Sequence, residues 1–232
     1  GKFSTNPNST TREVFAPAEI KRQVILAVTP TAPIVEGKEN GSVTITPPKQ
    51  PDSTNQQDID KITLTYTPTG KTSPETVTVT KSGSKWTVNG KSPDKVSVSP
   101  EGVVTISDTE VADKTEVTAK VSKRIDNNLT LESPVDKGIS ESKLVPKYEE
   151  GSGKPGSSVD IPVSEANGKK IPDGTTYTSG TPGITVDKDG KVTVTIPKDK
   201  NPGDEVTGKV LVRYPDGSEE EVPVKVTVTN RD

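Results

Sequence analysis

The sequence predicts an all-β chain of two β-sandwich modules in tandem, and three observations carry that reading. Val, Ile and Thr alternate with polar residues at a period of two, turn-forming dipeptides punctuate the alternation at short intervals, and one stretch is echoed later in the same order. No segment sustains the 3.6-residue period of an amphipathic helix.

The strands follow in order. Residues 61–67 (KITLTYT) place Ile62, Leu64 and Tyr66 on one face and Lys61, Thr63, Thr65 and Thr67 on the other, as a strand buried on one side requires. The same pattern predicts short strands at Val43 and Ile45, Val77 and Val79, Trp86 and Val88, Val96 and Val98, Val104 and Ile106, and Val117, Ala119 and Val121. Between them, Pro47-Pro48, Thr69-Gly70, Ser82-Gly83, Asn89-Gly90 and Glu101-Gly102 supply turn chemistry. The alternation lapses through 133–147 (SPVDKGISESKLVPK), read as the connection between modules. It returns at Val159, Ile161 and Val163, at Val192, Val194 and Ile196, at Val206, Val210 and Val212, and at Val222, Val224, Val226 and Val228. The expected organisation is a leader or extra strand over 1–29, a first sandwich over 30–132, the connector 133–147 and a second sandwich over 148–232. The echo supports two related modules: VSVSPEGVVTI at 96–106 returns as ITVDKDGKVTV at 184–194, and EVTAKV at 116–121 as EVTGKV at 205–210.

Composition narrows the chemistry. Hydrophobic residues are 27% and aromatics 3% of 232 residues, so each core is thin; the regular placement of β-branched residues excludes general disorder. The net charge of −3 arises from 30 basic and 33 acidic residues that are interspersed, with no basic stripe, which argues against nucleic-acid binding. No apolar run approaches the roughly 20 residues that span a bilayer, and no signal peptide is present, so the chain reads as an excised fragment. There is no Cys, His or Met, which removes Ser-His-Asp and Cys-His nucleophiles, imidazole bases and the usual zinc ligands.

The C-terminal stretch 211–228 (LVRYPDGSEEEVPVKVTV) resembles the closing hairpin of Rib-type repeats. Tyr214, Pro215, Asp216 and Gly217, followed by Ser218, Val222-Pro223-Val224 and Val226-Thr227-Val228, carry the likeness, with Pro202-Gly203 upstream. Pro fixes φ, Asp caps the turn and Gly accepts positive φ, while Pro223 needs a place where no ladder N–H is required. The resemblance covers about 143–232, and an added hairpin at Asp187–Gly190 sets it apart from the shortest Rib repeats as a longer or related variant. Residues 30–132 are similar to bacterial Ig-like modules through 41–48 (GSVTITPP), 59–67 (IDKITLTYT) and 95–106 (KVSVSPEGVVTI). These resemblances imply a non-catalytic stalk or adhesive region of a Gram-positive surface protein, extracellular, anchored to the cell wall in the full-length protein and serving adhesion or biofilm formation, with a ligand-binding adhesin head as the alternative. The partners they imply are a host protein or glycan, a second copy between cells, and neighbouring modules of the same chain, with neither nucleic acid nor membrane insertion.

Site residues are few. Asp187 and Asp189 are candidate calcium ligands, but Lys188 between them and the lack of a following bidentate Glu favour a plain hairpin turn. Asp58 with Asp60, and Asp108 with Asp113, are further carboxylate pairs. Trp86 reads as a core anchor, and Tyr148, Tyr177 and Tyr214 as packing residues or the lining of a groove. Glu149-Glu150 and Glu219-Glu220-Glu221 would be the acids of a glycan hydrolase, the alternative of another class; solvated turn clusters are the plainer reading. A Lys–Asn crosslink is a further option whose residues the sequence does not select. With Pro134 and Pro146 in a polar connector, the two modules are expected to stand end to end.

Overall fold

The computed structural model describes residues 28–231. Of the leader or extra strand expected over 1–29, residues 1–27 lie outside the described residues. Among these there are nineteen strands and no helix. The first ten are β1 (Ile34–Gly37), β2 (Val43–Thr46), β3 (Lys61–Tyr66), β4 (Glu75–Ser82), β5 (Lys85–Asn89), β6 (Val96–Val98), β7 (Val104–Ile106), β8 (Glu116–Asp126), β9 (Leu129–Glu132) and β10 (Asp136–Ile139). They form two facing sheets, β1-β2-β7-β6 and β10-β8-β3-β4-β5, with β9 also on β8. The alternation dictates the core: Val43 and Ile45 from one sheet meet Ile62, Leu64, Tyr66 and Val79 from the other, all fully buried. Trp86 is buried in the same core.

The second module comprises β11 (Pro146–Tyr148), β12 (Gly151–Gly153), β13 (Ser158–Ile161), β14 (Val163–Glu165), β15 (Thr176–Ser179), β16 (Ile184–Val186), β17 (Val192–Thr195), β18 (Glu205–Arg213) and β19 (Glu219–Val228). Its sheets are β12-β19-β18-β15, β13-β17-β16 and the pair β11-β14. Val192, Val194, Val210, Val212 and Val226 are fully buried at its centre. Pro223 lies opposite Lys209 of β18; β12 joins the other flank of β19 only from Val226 onward, so the missing N–H of Pro223 faces no partner strand.

The sequence echo is a structural correspondence. β2-β7-β6 and β13-β17-β16 have the same order, and the pair Val43–Ile106 matches Val159–Val194. β8 corresponds to β18, and β9 with β10 to the unbroken β19. The stretch 133–147 is accordingly more than a connector. Asp136–Ile139 pairs with β8 as the last strand of the first module, Leu144 is fully buried in the second core, and Pro146–Tyr148 is already β11. Its polar pattern hid a strand because Gly138 carries no side chain to alternate.

That last strand closes the sandwich against the first. β1 and β10 run side by side in the same direction, Val35 next to Gly138 and Gly37 next to Ile139, and the Val35 amide donates to Asp136 Oδ2 at 2.8 Å. A β-carbon on Gly37 would stand 2.1 Å from the Ile139 carbonyl oxygen, and one on Gly138 2.7 Å from that of Val35. Only glycine permits this approach. Gly37→Ala should therefore destabilise the first module by about 1–3 kcal/mol or more, lowering the urea midpoint followed by fluorescence of Trp86, the single tryptophan. Gly180→Ala, with no atom within 4 Å of the new methyl, should leave that midpoint unchanged; an unchanged midpoint for Gly37→Ala would contradict the tight seam.

Candidate functional site at the module joint

The strand directions bring three segments together where the modules meet. Because β1 and β10 run in the same direction, the turn after β1 (38–42) and the chain leaving β10 (140–145) emerge at one pole of the first module. The β18–β19 hairpin, 214–218, points back at that pole from the second.

The hairpin is preorganised by its own residues. The Tyr214 amide donates to the Ser218 carbonyl and the Gly217 amide to that of Tyr214, both at 2.9 Å. Asp216 Oδ1 accepts the Ser218 amide at 2.9 Å and its hydroxyl at 2.7 Å. This leaves Oδ2 free to reach across the joint, where it accepts the Glu39 amide at 2.8 Å. Lys38 Nζ donates to the Asp216 carbonyl at 3.1 Å, the Asn40 amide to Ser218 Oγ at 3.3 Å, and Asn40 Nδ2 to the Glu219 carbonyl at 3.1 Å. On the other side the Leu144 amide donates to the Glu39 carbonyl at 2.9 Å, so both backbone groups of Glu39 are engaged by the second half of the chain.

A lysine completes the joint. Lys143 Nζ lies 3.1 Å from Glu220 Oε1 and 3.6 Å from Asp108 Oδ2, linking an acid of each module. The second module fixes its backbone: Asn167 Nδ2 donates to the Lys143 carbonyl at 2.7 Å and Lys169 Nζ to that of Ser142 at 2.8 Å. Tyr214 is 2% exposed and packs in the second core; its hydroxyl has no hydrogen-bond partner, and burial, with Glu220 and Glu39 nearby, raises its pKa.

The two acids of the joint are tuned in opposite directions. Burial by itself would raise Asp216, but the Ser218 hydroxyl, the Glu39 and Ser218 amides and the Lys38 charge hold it below the usual carboxylate range. Burial raises Glu220, the nearby Asp108 adds to the rise, and Lys143 offsets it only in part.

Of the residues singled out in the sequence, Tyr214, Pro215, Asp216 and Gly217 all fall at this joint, as does Asp108. Asp187 and Asp189 lie in the β16–β17 turn, where Asp187 Oδ1 accepts the amides of Asp189 and Lys191, each at 2.9 Å. Among the described residues no three His, Cys, Asp or Glu side chains gather as a metal cage would. Tyr148 and Tyr214 are buried and Tyr177 half-buried in one core, the Tyr148 hydroxyl donating to the Gly190 carbonyl at 2.6 Å; they line no exposed groove. The consecutive acids of β19 diverge, Glu219 toward Arg213 at 3.1 Å, Glu220 toward Lys143 and Glu221 toward Lys209 at 3.8 Å. Glu149 and Glu150 pair with Lys147 and Lys225 at 3.8 and 3.6 Å. Neither run presents the two facing carboxyls that glycoside cleavage uses.

Sequence reasoning missed Lys38, Glu39, Asn40 and Lys143, and singled out Glu220 for another role, since the Glu39–Asp216 contact spans 177 positions. It also missed a second network: Tyr66, fully buried, donates to Glu110 Oε2 at 2.5 Å, and Lys91 bridges Glu110 and Glu75, each at 3.0 Å.

The sign of each shift fixes a pH response. Asp216, with its depressed value, holds the joint fully at neutral pH and loses that contribution as pH falls through its lowered pKa; Glu220, with its raised value, is most favourable when protonated and loses that contribution as pH rises through its pKa. Carboxyl-carbon NMR should therefore find Asp216 titrating below ordinary aspartates and Glu220 above ordinary glutamates. At pH 7, Asp216→Asn should weaken the joint more than Glu220→Gln does, and the reverse order would refute the assignment.

No curated protein matches the chain. Among solved structures, murine CEACAM1b is similar at 13% identity, over 85% of this chain and 99% of that one, with a TM-score of 0.29, a superposition too loose to bear on the fold. Residues 141–229 match the family model of the Long Rib domain, which agrees with the resemblance carried by Tyr214–Ser218 and the strand after it.

Proposed function

We propose that this chain is a non-catalytic spacer of a bacterial cell-surface protein, anchored to the cell wall in the full-length protein, in which the joint holds two sandwich modules in one fixed orientation and so carries an adhesive function away from the surface. The observation behind this reading is the latch of Asp216 on the Glu39 amide, reinforced by Lys143 between Asp108 and Glu220. A flexible linker would need no such contacts. The Long Rib match over 141–229 supports the surface assignment, and Rib domains occur in extracellular surface proteins. Among the described residues no helix is long and apolar enough to cross a membrane.

The chain has no cysteine, so Lys85→Cys and Lys188→Cys place one spin label on each module without competing thiols. Electron–electron distance measurement should give a narrow distribution in this labelled chain and a distinctly broader one when Asp216→Ala and Lys143→Ala are added. A broad distribution with the joint residues intact would overturn the fixed-orientation reading.

A further inference from the structure

We infer that the free edge of β15 is a self-association site, at which two copies of the chain pair edge to edge through antiparallel β15 strands. β15 stands in the second module where β3 stands in the first. Ile62 of β3 faces Val121 of β8 and Ser179 of β15 faces Val210 of β18, and Val121 and Val210 are the matching ends of the echoed EVTAKV and EVTGKV. In the first module β4 continues the sheet beyond β3 as an antiparallel neighbour, and β5 follows it. The second module passes from β15 to β16 without such a hairpin, and its sheet stops. Among the described residues Thr176–Ser179 pair with β18 alone.

A row of unpaired N–H and C=O groups is a template for another strand, and proteins usually blunt such edges with charge, proline or a bulge. Thr176-Tyr177-Thr178-Ser179 is short, four residues, but carries none of these: it is uncharged, and its register with β18 is continuous. The first module fills the corresponding seam with an antiparallel strand of the same chemistry, Thr63 facing Thr78 and Thr65 facing Thr76, the latter hydroxyls 3.0 Å apart.

The composition of the strand selects a second copy as the occupant. Residues directly opposite in an antiparallel pair share a face, so a two-fold pairing must set like faces together. Placing Thr178, which is exposed, against Thr178 of the other copy also sets Tyr177 against Ser179 and Thr176 against Gly180. The flanks then brought together, 172–175 and 181–184, contain one charge, Asp173, so no like charges meet. Half-exposed Leu211, the β18 partner of Thr178, adds apolar surface beside the new seam.

Sedimentation equilibrium of the full chain from about 10 µM to about 1 mM tests this. The chain should show a concentration-dependent dimer. Thr178→Lys and Thr178→Glu, which each place two like charges opposite one another, should raise the dissociation constant about tenfold or more. An equimolar mixture of the two variants should regain association as heterodimers, which also establishes that both are folded. A chain monomeric throughout this range, dimers that persist in both variants, or a mixture that stays monomeric would each overturn the inference.

Discussion

Each module lays an early strand beside its last, in the same direction, β1 beside β10 and β12 beside β19, and the rest of the architecture depends on that placement. In the second module it is a hydrogen-bonded parallel pair, Gly151 to Gly153 of β12 against Val226 to Val228 of β19. In the first it is the tight contact of β1 with β10 through Gly37 and Gly138. Two strands that run together end together, so the turn after the first strand and the chain leaving the last emerge at one pole. That coincidence puts Glu39 and Lys143 within reach of one hairpin. Had β1 run antiparallel to β10, Lys143 and the 38–42 turn would stand at opposite poles and no single hairpin could meet both.

The joint relies on polar contacts at a place where little apolar surface is available. Its principal hydrogen bond joins an ionised carboxylate to a backbone amide, the class that contributes about 1.5–3 kcal/mol. The flanking ion pairs are partly solvated, Lys143 being 40% exposed, and each adds less. Tyr214 anchors the base of the hairpin in the second core, so the orientation of Asp216 is set by the packing beneath it. The first module has its own charged network at Tyr66, Glu110, Lys91 and Glu75, which ties β3 and β4 to the segments after β7 and β5. With aromatics at 3% of the chain, two of the four tyrosines serve at these two networks.

What was legible in the sequence was whatever side chains write at a period of two. Ile62, Leu64 and Tyr66 are all fully buried, as their alternation requires, and Val222 to Val228 form the inward face of β19. Strands without that signature were invisible. Gly151-Ser152-Gly153 forms a strand whose glycines let Val159 and Ile196 pack within 3.0 Å of where a β-carbon on Gly153 would be, a reason that exists only after folding. β10 was hidden likewise by Gly138. The hairpin Tyr214–Ser218 was legible as a turn, since Pro, Asp, Gly and Ser each have a local task there. Its second task, holding Glu39, was not, because the second oxygen of Asp216 finds its partner only through the tertiary arrangement.

The parallel placement of β12 and β19 also bears on how the second module would resist a pull on its ends. In the proposed spacer, a pull on the two ends would reach the second module through β11 and β19, and beyond the β11–β14 pair it would draw β12 and β19 in opposite directions along their common axis. Neighbouring parallel strands pulled this way are sheared, and their hydrogen bonds must yield together; a hairpin peeled from its open end gives them up one at a time. The Gly-Ser-Gly strand that the sequence barely marks would then be one side of a sheared pair, and the packing of Val159 and Ile196 against Gly153 is what such a pull would have to slide apart.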